Sequence, residues 1–168
     1  MECKLFSAEL AKGIYRISDS LHGPNSDGFS DAPGQATQNS YLILGDERAA
    51  LIDMAVDTPE LYSFACRFAN KPVTVLLTHG HPDHVYYLET AAEAWLHPGD
   101  HDLVKRGIPG ICQPVTGVLL HPLEDGQQVD LGGRSLEVLH LPGHTMGSVL
   151  FLDRQTGTLF TGDTCARR

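Results

Sequence analysis

The 168-residue chain has no long hydrophobic run, little positive charge and no closely spaced cysteines. No apolar stretch approaches the roughly 18 residues that a membrane-spanning helix requires. The N-terminal residues lack the apolar stretch of a secretory signal, so we expect a cytoplasmic protein without a membrane partner. Twelve lysines and arginines against 21 aspartates and glutamates give a net charge of −9. A surface this acidic repels phosphate backbones, which argues against a nucleic-acid partner.

The four cysteines, Cys3, Cys66, Cys112 and Cys165, are far apart along the chain. Their spacing is not that of a zinc ribbon or a C-x-x-C redox motif, and a chain of this length needs no disulfides for stability. We therefore expect four reduced thiols. Because the composition is ordinary for a globular protein and no internal repeat or linker is present, we expect a single domain over residues 1–168.

Short apolar segments separated by turn residues predict strands. They cover residues 13–17, 41–44, 49–53, 117–120, 135–141, 148–152 and 158–161. The segments 41–44 and 49–53 resemble a hairpin around Gly45 and Asp46. The segment Val73–Leu77 is apolar on both faces, which predicts a further strand buried inside a layered fold.

Two segments predict helices. Thr58 would cap the first, Pro59 suits its first turn, and its apolar residues continue to Phe68. The second is predicted from an apolar stripe at helical spacing, formed by Leu88, Ala91, Ala92 and Trp95. Helices mixed with strands in this way predict an α/β sandwich in which the helices pack outside the sheets.

Four metal-binding side chains lie within the six residues 79–84, just after the predicted buried strand. His79, His81 and Asp83 alternate along the chain, and alternate side chains of an extended segment project to the same side. His84 falls at the start of the predicted second helix and can reach a neighbouring point. Imidazole and carboxylate groups bind Zn²⁺, or iron and manganese where more oxygen is present. Because burying so many polar groups without a metal is costly, the cluster predicts a metal site.

The segment His-Gly-His-Pro-Asp-His at residues 79–84 resembles the first metal motif of the metallo-β-lactamase superfamily. Pro-Gly-His-Thr-Met-Gly-Ser at 142–148 and Leu-Phe-Thr-Gly-Asp-Thr at 159–164 resemble the second and third motifs, in the same order. Asp53, at the end of a predicted strand, resembles the family's supporting aspartate, which holds the histidine loop from behind the metal ligands. The resemblance covers nearly the whole chain.

This resemblance implies an αββα sandwich with two zinc ions per chain, or with iron as the alternative metal. The first ion would bind His79, His81 and His144. The second would bind Asp83, His84 and a bridging Asp163. A metal-bound hydroxide would attack the carbonyl of a small thioester, ester or lactone. Asp83 would be the catalytic carboxylate that orients the hydroxide or passes its proton to the leaving group.

The chain departs from the family's usual pattern after the third motif. Family members usually continue with a further histidine ligand, a closing strand and a helix, whereas Arg168 ends this sequence five residues after Asp163. We interpret the chain as a domain truncated after the bridging-aspartate motif, without the usual C-terminal closing elements. The strands near Asp163 would then present an exposed edge, which favours a homodimer.

Two residues are candidate substrate contacts. Tyr86 stands where the family commonly has a glycine, and its ring could narrow the pocket or donate a hydrogen bond to a small-molecule substrate. Packing within the predicted second helix is the alternative for Tyr86. His22 lies in a glycine- and proline-rich loop, residues 18–38, which borders the active site in this family.

Two other functions stay open. Some relatives use one iron ion to oxidise sulfur compounds, and the matching ligands here would be His79, His144 and Asp163. Two histidines and one carboxylate are the usual ligands of iron oxygenases. The other alternative is a non-catalytic metal-binding module, against which the complete set of first-site histidines argues.

Overall fold

The computed structural model describes residues 5–19 and 39–165. They form two β-sheets packed face to face, with helices against the outer face of the larger sheet, so the predicted α/β sandwich is confirmed. The candidate contact His22 lies outside the described residues.

The larger sheet has seven strands in chain order. They are β1 (Phe6–Ala11), β2 (Ile14–Ser18), β3 (Ser40–Leu44), β4 (Ala49–Ile52), β5 (Val73–Leu76), β6 (Glu93–Leu96) and β7 (Leu119–Pro122). Neighbours from β1 to β4 are antiparallel, and neighbours from β4 to β7 are parallel. The smaller sheet is antiparallel in the order β11-β10-β9-β8. Its strands are β8 (Gln128–Asp130), β9 (Ser135–His140), β10 (Val149–Asp153) and β11 (Thr158–Phe160).

Two α-helices are described, α1 (Leu61–Ala69) and α2 (His101–Arg106). Helix α1 begins later than predicted. The backbone N–H of Glu60 donates a hydrogen bond to the Thr58 hydroxyl, and the helix starts at the next residue. Single 3₁₀ turns occur at Pro82–His84, Leu88–Thr90, Pro98–Asp100 and Gly162–Cys165. Since α1 has nine residues and is the longer helix, none of the described helices has the length to cross a bilayer.

The central strands of the larger sheet contribute side chains to two separate hydrophobic cores. Leu51 and Val75 face α1 and α2, whereas Ile52 and Leu76 face the smaller sheet. Successive side chains of a strand point to opposite faces, so a strand covered on both sides must be apolar throughout. The predicted strand at 73–77, buried on both faces, is confirmed as β5.

The predicted second helix is wrong. Its first part forms only the 3₁₀ turn Leu88–Thr90, and its last part is β6, in which Trp95 pairs with Leu76 of β5. Ala94 and Leu96 are fully buried and alternate with the less buried Trp95, as in a strand. So few apolar residues are compatible with the spacing of a helix or of a strand. Parallel pairing with β5 makes the last part a strand. The strands β1 and β8 and the helix α2 were not predicted.

The loops that matter for function meet at one edge of the sandwich. Strands β4, β5 and β6 are parallel, so the loops that follow them lie at the same edge. In the smaller sheet, antiparallel pairing places the start of β10 beside the end of β11. The N–H of Val149 donates to the Thr78 carbonyl at 2.8 Å and joins the two sheets there.

Candidate metal centre

The predicted site residues come from separate loops that converge at this edge. Asp53 follows β4, the segment His79–His84 follows β5, His144 precedes β10, and Asp163 follows β11. The structure therefore brings together side chains that are as much as 110 positions apart in the sequence. Parallel pairing of β4 with β5 and antiparallel pairing of β10 with β11 account for the convergence.

His79, His81 and His144 form one compact group. Their rings lie 4.6–4.8 Å apart at interplanar angles of 78–82°. Nε2 of His144 is 2.9 Å from Nδ1 of His81, and Nε2 of His79 is buried without a hydrogen-bond partner among the described residues. Nitrogens about 2.0–2.1 Å from a tetrahedral ion lie about 3.3 Å from one another. A buried nitrogen without a partner, beside two others, fits a metal ligand set.

A second group consists of His79, His84 and Asp163, whose ligand atoms lie within 4.8 Å of one another. Oδ1 of Asp163 is 3.4 Å from Nε2 of His84, and Oδ2 of Asp163 is 3.6 Å from Nε2 of His144. Both distances are long for hydrogen bonds but close to the separation of two ligands on one ion. The Asp163 carboxylate thus faces both groups, which is where a bridging ligand must lie.

Asp83 lies beside the second group. Its Oδ2 is 4.0 Å from Nε2 of His84. The segment is not extended throughout, because Pro82–His84 form a 3₁₀ turn, so the predicted alternation brings His79 and His81 together but not Asp83. The side chains of Asp83 and Asp163 are 39% and 40% exposed, which leaves both carboxylates open to a substrate.

Asp53 is buried behind His84. Its Oδ2 accepts hydrogen bonds from Nδ1 of His84 at 2.9 Å and from the Thr78 hydroxyl at 2.8 Å, and its Oδ1 accepts from the Thr78 N–H at 2.7 Å. An ionised carboxylate only accepts, so Nδ1 of His84 carries a proton. When the ring is neutral, the lone pair on Nε2 of His84 is directed towards Asp163, as metal binding requires.

Burial and neighbouring charges determine which rings are protonated. Burial, together with nearby His84, lowers the pKa of His79 to about 4. Burial, together with nearby His144, lowers the pKa of His81. Burial also lowers the pKa of His84, but the Asp53 carboxylate outweighs it and raises that pKa to about 9. At neutral pH, His79 and His81 are therefore uncharged and have lone pairs for a metal. His84 without a metal keeps a proton on Nε2, which an ion bound there would displace.

Two clefts open beside these groups. The larger, of about 740 Å³, is lined by Asp83, Tyr86 and Ile111, and the smaller, of about 470 Å³, by Asp83, His84 and Asp163. Tyr86 is half-buried and does not pack in a helix, because the predicted helix does not form. Its place in the larger cleft is compatible with the predicted substrate contact.

Sequence reasoning missed Asp100. This residue is 2% exposed and follows β6, where its carboxylate accepts hydrogen bonds from the loops of His81 and His144. Because a helix was predicted over the preceding segment, the position of Asp100 at this edge could not be predicted. A strand parallel to β5 there would have placed Asp100 at the same edge as the ligands.

Comparisons with known proteins agree with this geometry. Residues 33–168 match the family model of the metallo-β-lactamase superfamily. The β-lactamase-like protein 2 homolog of Drosophila melanogaster is 34% identical over 134 residues, covering 74% of this chain and 46% of that protein. A probable metallo-hydrolase of Streptococcus pyogenes is 29% identical over 147 residues, covering 79% of this chain and 63% of that protein.

Among solved structures, TTHA1623 in a di-iron-bound form is 33% identical, with a TM-score of 0.60 over 77% of this chain and 69% of that chain. The chain spans about half the length of the first curated relatives it matches. The family model nevertheless covers most of the chain, including every residue of the two ligand groups. The chain belongs to the metallo-β-lactamase superfamily.

Proposed function

We propose that the chain is a dinuclear zinc hydrolase that cleaves a small thioester, ester or lactone. The observation that carries this proposal is the pair of ligand groups that share His79, with Asp163 facing His84 through one oxygen and His144 through the other. Relatives in Streptococcus pyogenes and Bacillus subtilis are named probable metallo-hydrolases, which supports hydrolysis. The di-iron form of TTHA1623 supports a two-metal site and makes iron the alternative metal.

When bound, a pair of divalent ions lowers the pKa of water towards neutrality and polarises a substrate carbonyl. His79, His81 and His144 would hold one ion, and Asp83, His84 and a bridging Asp163 the other. The half-exposed Asp83 carboxylate, 4.0 Å from His84, lies where it can take a proton from water and pass it to the leaving group. Tyr86, in the larger cleft, would contact the acyl part of the substrate.

Metal analysis combined with a hydrolysis assay tests this proposal. We expect close to two zinc ions per chain in gently purified protein. Removing the metal with a chelator should abolish hydrolysis of a model thioester, ester or lactone, because metal-bound water would supply the nucleophile. Adding zinc should restore the activity.

Different metal contents would contradict the hydrolase in different ways. About one iron ion per chain and no hydrolysis would favour sulfur-compound oxidation through His79, His144 and Asp163. A single weakly held metal of mixed identity, again without hydrolysis, would favour a non-catalytic metal-binding module.

We also propose that two copies associate along β11. Among the described residues β11 pairs only with β10, and its central residue Leu159 is 45% exposed. An uncovered strand edge with an apolar side chain is a template for pairing with another chain. Light scattering should give the mass of a dimer, and Leu159→Lys should shift it to a monomer because a charge on an edge strand opposes pairing. A monomer at every concentration would contradict this.

A further inference from the structure

The carboxylate of Asp100 binds two loops that carry metal ligands. Its Oδ2 accepts hydrogen bonds from the Gly80 N–H at 2.9 Å and from the Thr145 hydroxyl at 2.6 Å. Its Oδ1 accepts a hydrogen bond from the Gly147 N–H at 2.8 Å. Gly80 lies between His79 and His81, and Thr145 follows His144 directly. One buried anion therefore joins the two chain segments that supply the first group of histidines.

Both loops pack closely against Asp100, and at Gly147 the approach leaves no room for a side chain. A Cβ on Gly147 would lie 2.6 Å from Cγ and 2.7 Å from the backbone nitrogen of Asp100, and a Cβ on Gly80 would lie 3.1 Å from its Cβ. Neither glycine has a positive φ. Close packing against Asp100, and not backbone conformation, thus requires glycine at position 147 and makes a side chain at position 80 crowded.

Loss of the hydrogen bonds to Asp100 would cost considerable free energy. A buried charge is tolerated only when its hydrogen bonds are made, and an unmet one costs far more than a single bond contributes. The loop after β5 and the loop before β10 are therefore held together at Asp100. The consequence at the metal centre is the 2.9 Å separation between His81 and His144, which come from these two loops.

We infer that Asp100 is a positioning residue for the first metal site, the one formed by His79, His81 and His144. This inference rests on the proposed dinuclear site. Asp53 has the corresponding role at the second site, where it contacts His84. The two buried aspartates act through different contacts. The Asp100 carboxylate accepts bonds from the loops of His81 and His144. Asp53 contacts the ring of His84 itself and also accepts bonds from Thr78.

Stepwise metal binding tests the inference. The dissociation constants of the two zinc ions are measured by competition with a chromophoric chelator, and His81→Ala identifies the first-site step as the one that it abolishes. Asp100→Asn should weaken that step about 10–100-fold, as loss of a partner behind the ligands typically does. Thr145→Val, which removes one bond but keeps the carboxylate, should weaken it less. Asp53→Asn should weaken the other step.

Matched control variants separate positioning from general stability. Asp153 is another buried aspartate that accepts a hydroxyl hydrogen bond, from Thr156, at the opposite end of β10 from the metal centre. Asp153→Asn and Thr156→Val should lower thermal stability but leave both zinc dissociation constants unchanged. If Asp100→Asn does not fold, Thr145→Val alone decides.

The failures of the two proposals are distinguishable. Wild-type protein that binds fewer than two metal ions would overturn the dinuclear site itself. Two ions bound by the wild type, with unchanged first-site affinity in Thr145→Val and in folded Asp100→Asn, would overturn the role of Asp100 alone. Equal weakening by the Asp153 and Thr156 controls would also overturn it, because the effect would then be one of stability.

Discussion

Replacing His79 with leucine is expected to lower hydrolysis more than about 100-fold while leaving the metal-free protein at least as stable as the wild type. His79 would hold the first ion, and it also lies within 4.8 Å of the ligand atoms of His84 and Asp163, so its loss removes a ligand of one site and a neighbour of the other. A residue behind the ligands already contributes about 10–100-fold to affinity or activity, and a ligand itself should exceed that.

The expected stability follows from the unpartnered nitrogen. Nε2 of His79 is buried and makes no hydrogen bond among the described residues. Such a group costs about 1–3 kcal/mol, and leucine, which has a similar volume, does not incur this cost. The measurements are kcat/KM, metal content, and urea unfolding of chelator-treated protein.

His121→Leu is the matched control. His121 lies on β7, where it stacks on Trp95 and pairs with Glu93, both on β6. It is outside both ligand groups. We expect its activity and metal content to equal those of the wild type. Hydrolysis that persists in His79→Leu, or a metal-free variant that unfolds several kcal/mol more easily, would show that His79 serves the fold and not the metal.

Most of the metal centre could be predicted from the sequence because the candidate ligands lie in short motifs. His79, His81 and His84 stand within six residues of one another, and the strand before them is apolar on both faces. The resemblance to known motifs supplied His144 and Asp163, which no local pattern connects to the histidine cluster. The structure brings all of them together.

Pairing between distant strands was not readable in the same way. The segment at Trp95 carries an apolar spacing that suits a helix, and only its pairing with Leu76 makes it β6. That single error concealed Asp100, since its place at the ligand edge follows from the strand before it. A residue whose role depends on three contacts from two distant loops has no local sequence pattern of its own.

Removing Arg134 from its buried pair with Asp153 should strongly destabilise the fold. Nη2 of Arg134 donates to Oδ2 of Asp153 at 2.5 Å, and Nη1 donates to the carbonyls of Lys12 and Leu44. These contacts connect the smaller sheet to the larger one. Arg134→Ala leaves a buried carboxylate without its cation, which costs about 3–5 kcal/mol. In a protein of this length, that lowers Tm by about 6–20 °C.

Arg154→Ala is the control for this effect. Arg154 pairs with Glu137 at 2.6 Å, but its side chain is 71% exposed, whereas that of Arg134 is 6% exposed. An exposed pair contributes at most about 1 kcal/mol, so Tm should hardly change. A similar loss in both variants would mean that burial does not determine the strength of the Arg134 pair.

The destabilisation by Arg134→Ala should also depend on pH. Burial raises the pKa of Asp153, but hydrogen bonds from Arg134 and Thr156 outweigh it and hold that pKa below its ordinary value of 3.8. A carboxylate with a depressed folded-state pKa stabilises the fold above its unfolded pKa and loses this contribution as the pH falls through the folded pKa. The difference in unfolding free energy between wild type and variant should therefore be full near neutrality and shrink below about pH 4. A difference that stays constant into acid would assign the loss to packing of the Arg134 side chain instead of its charge.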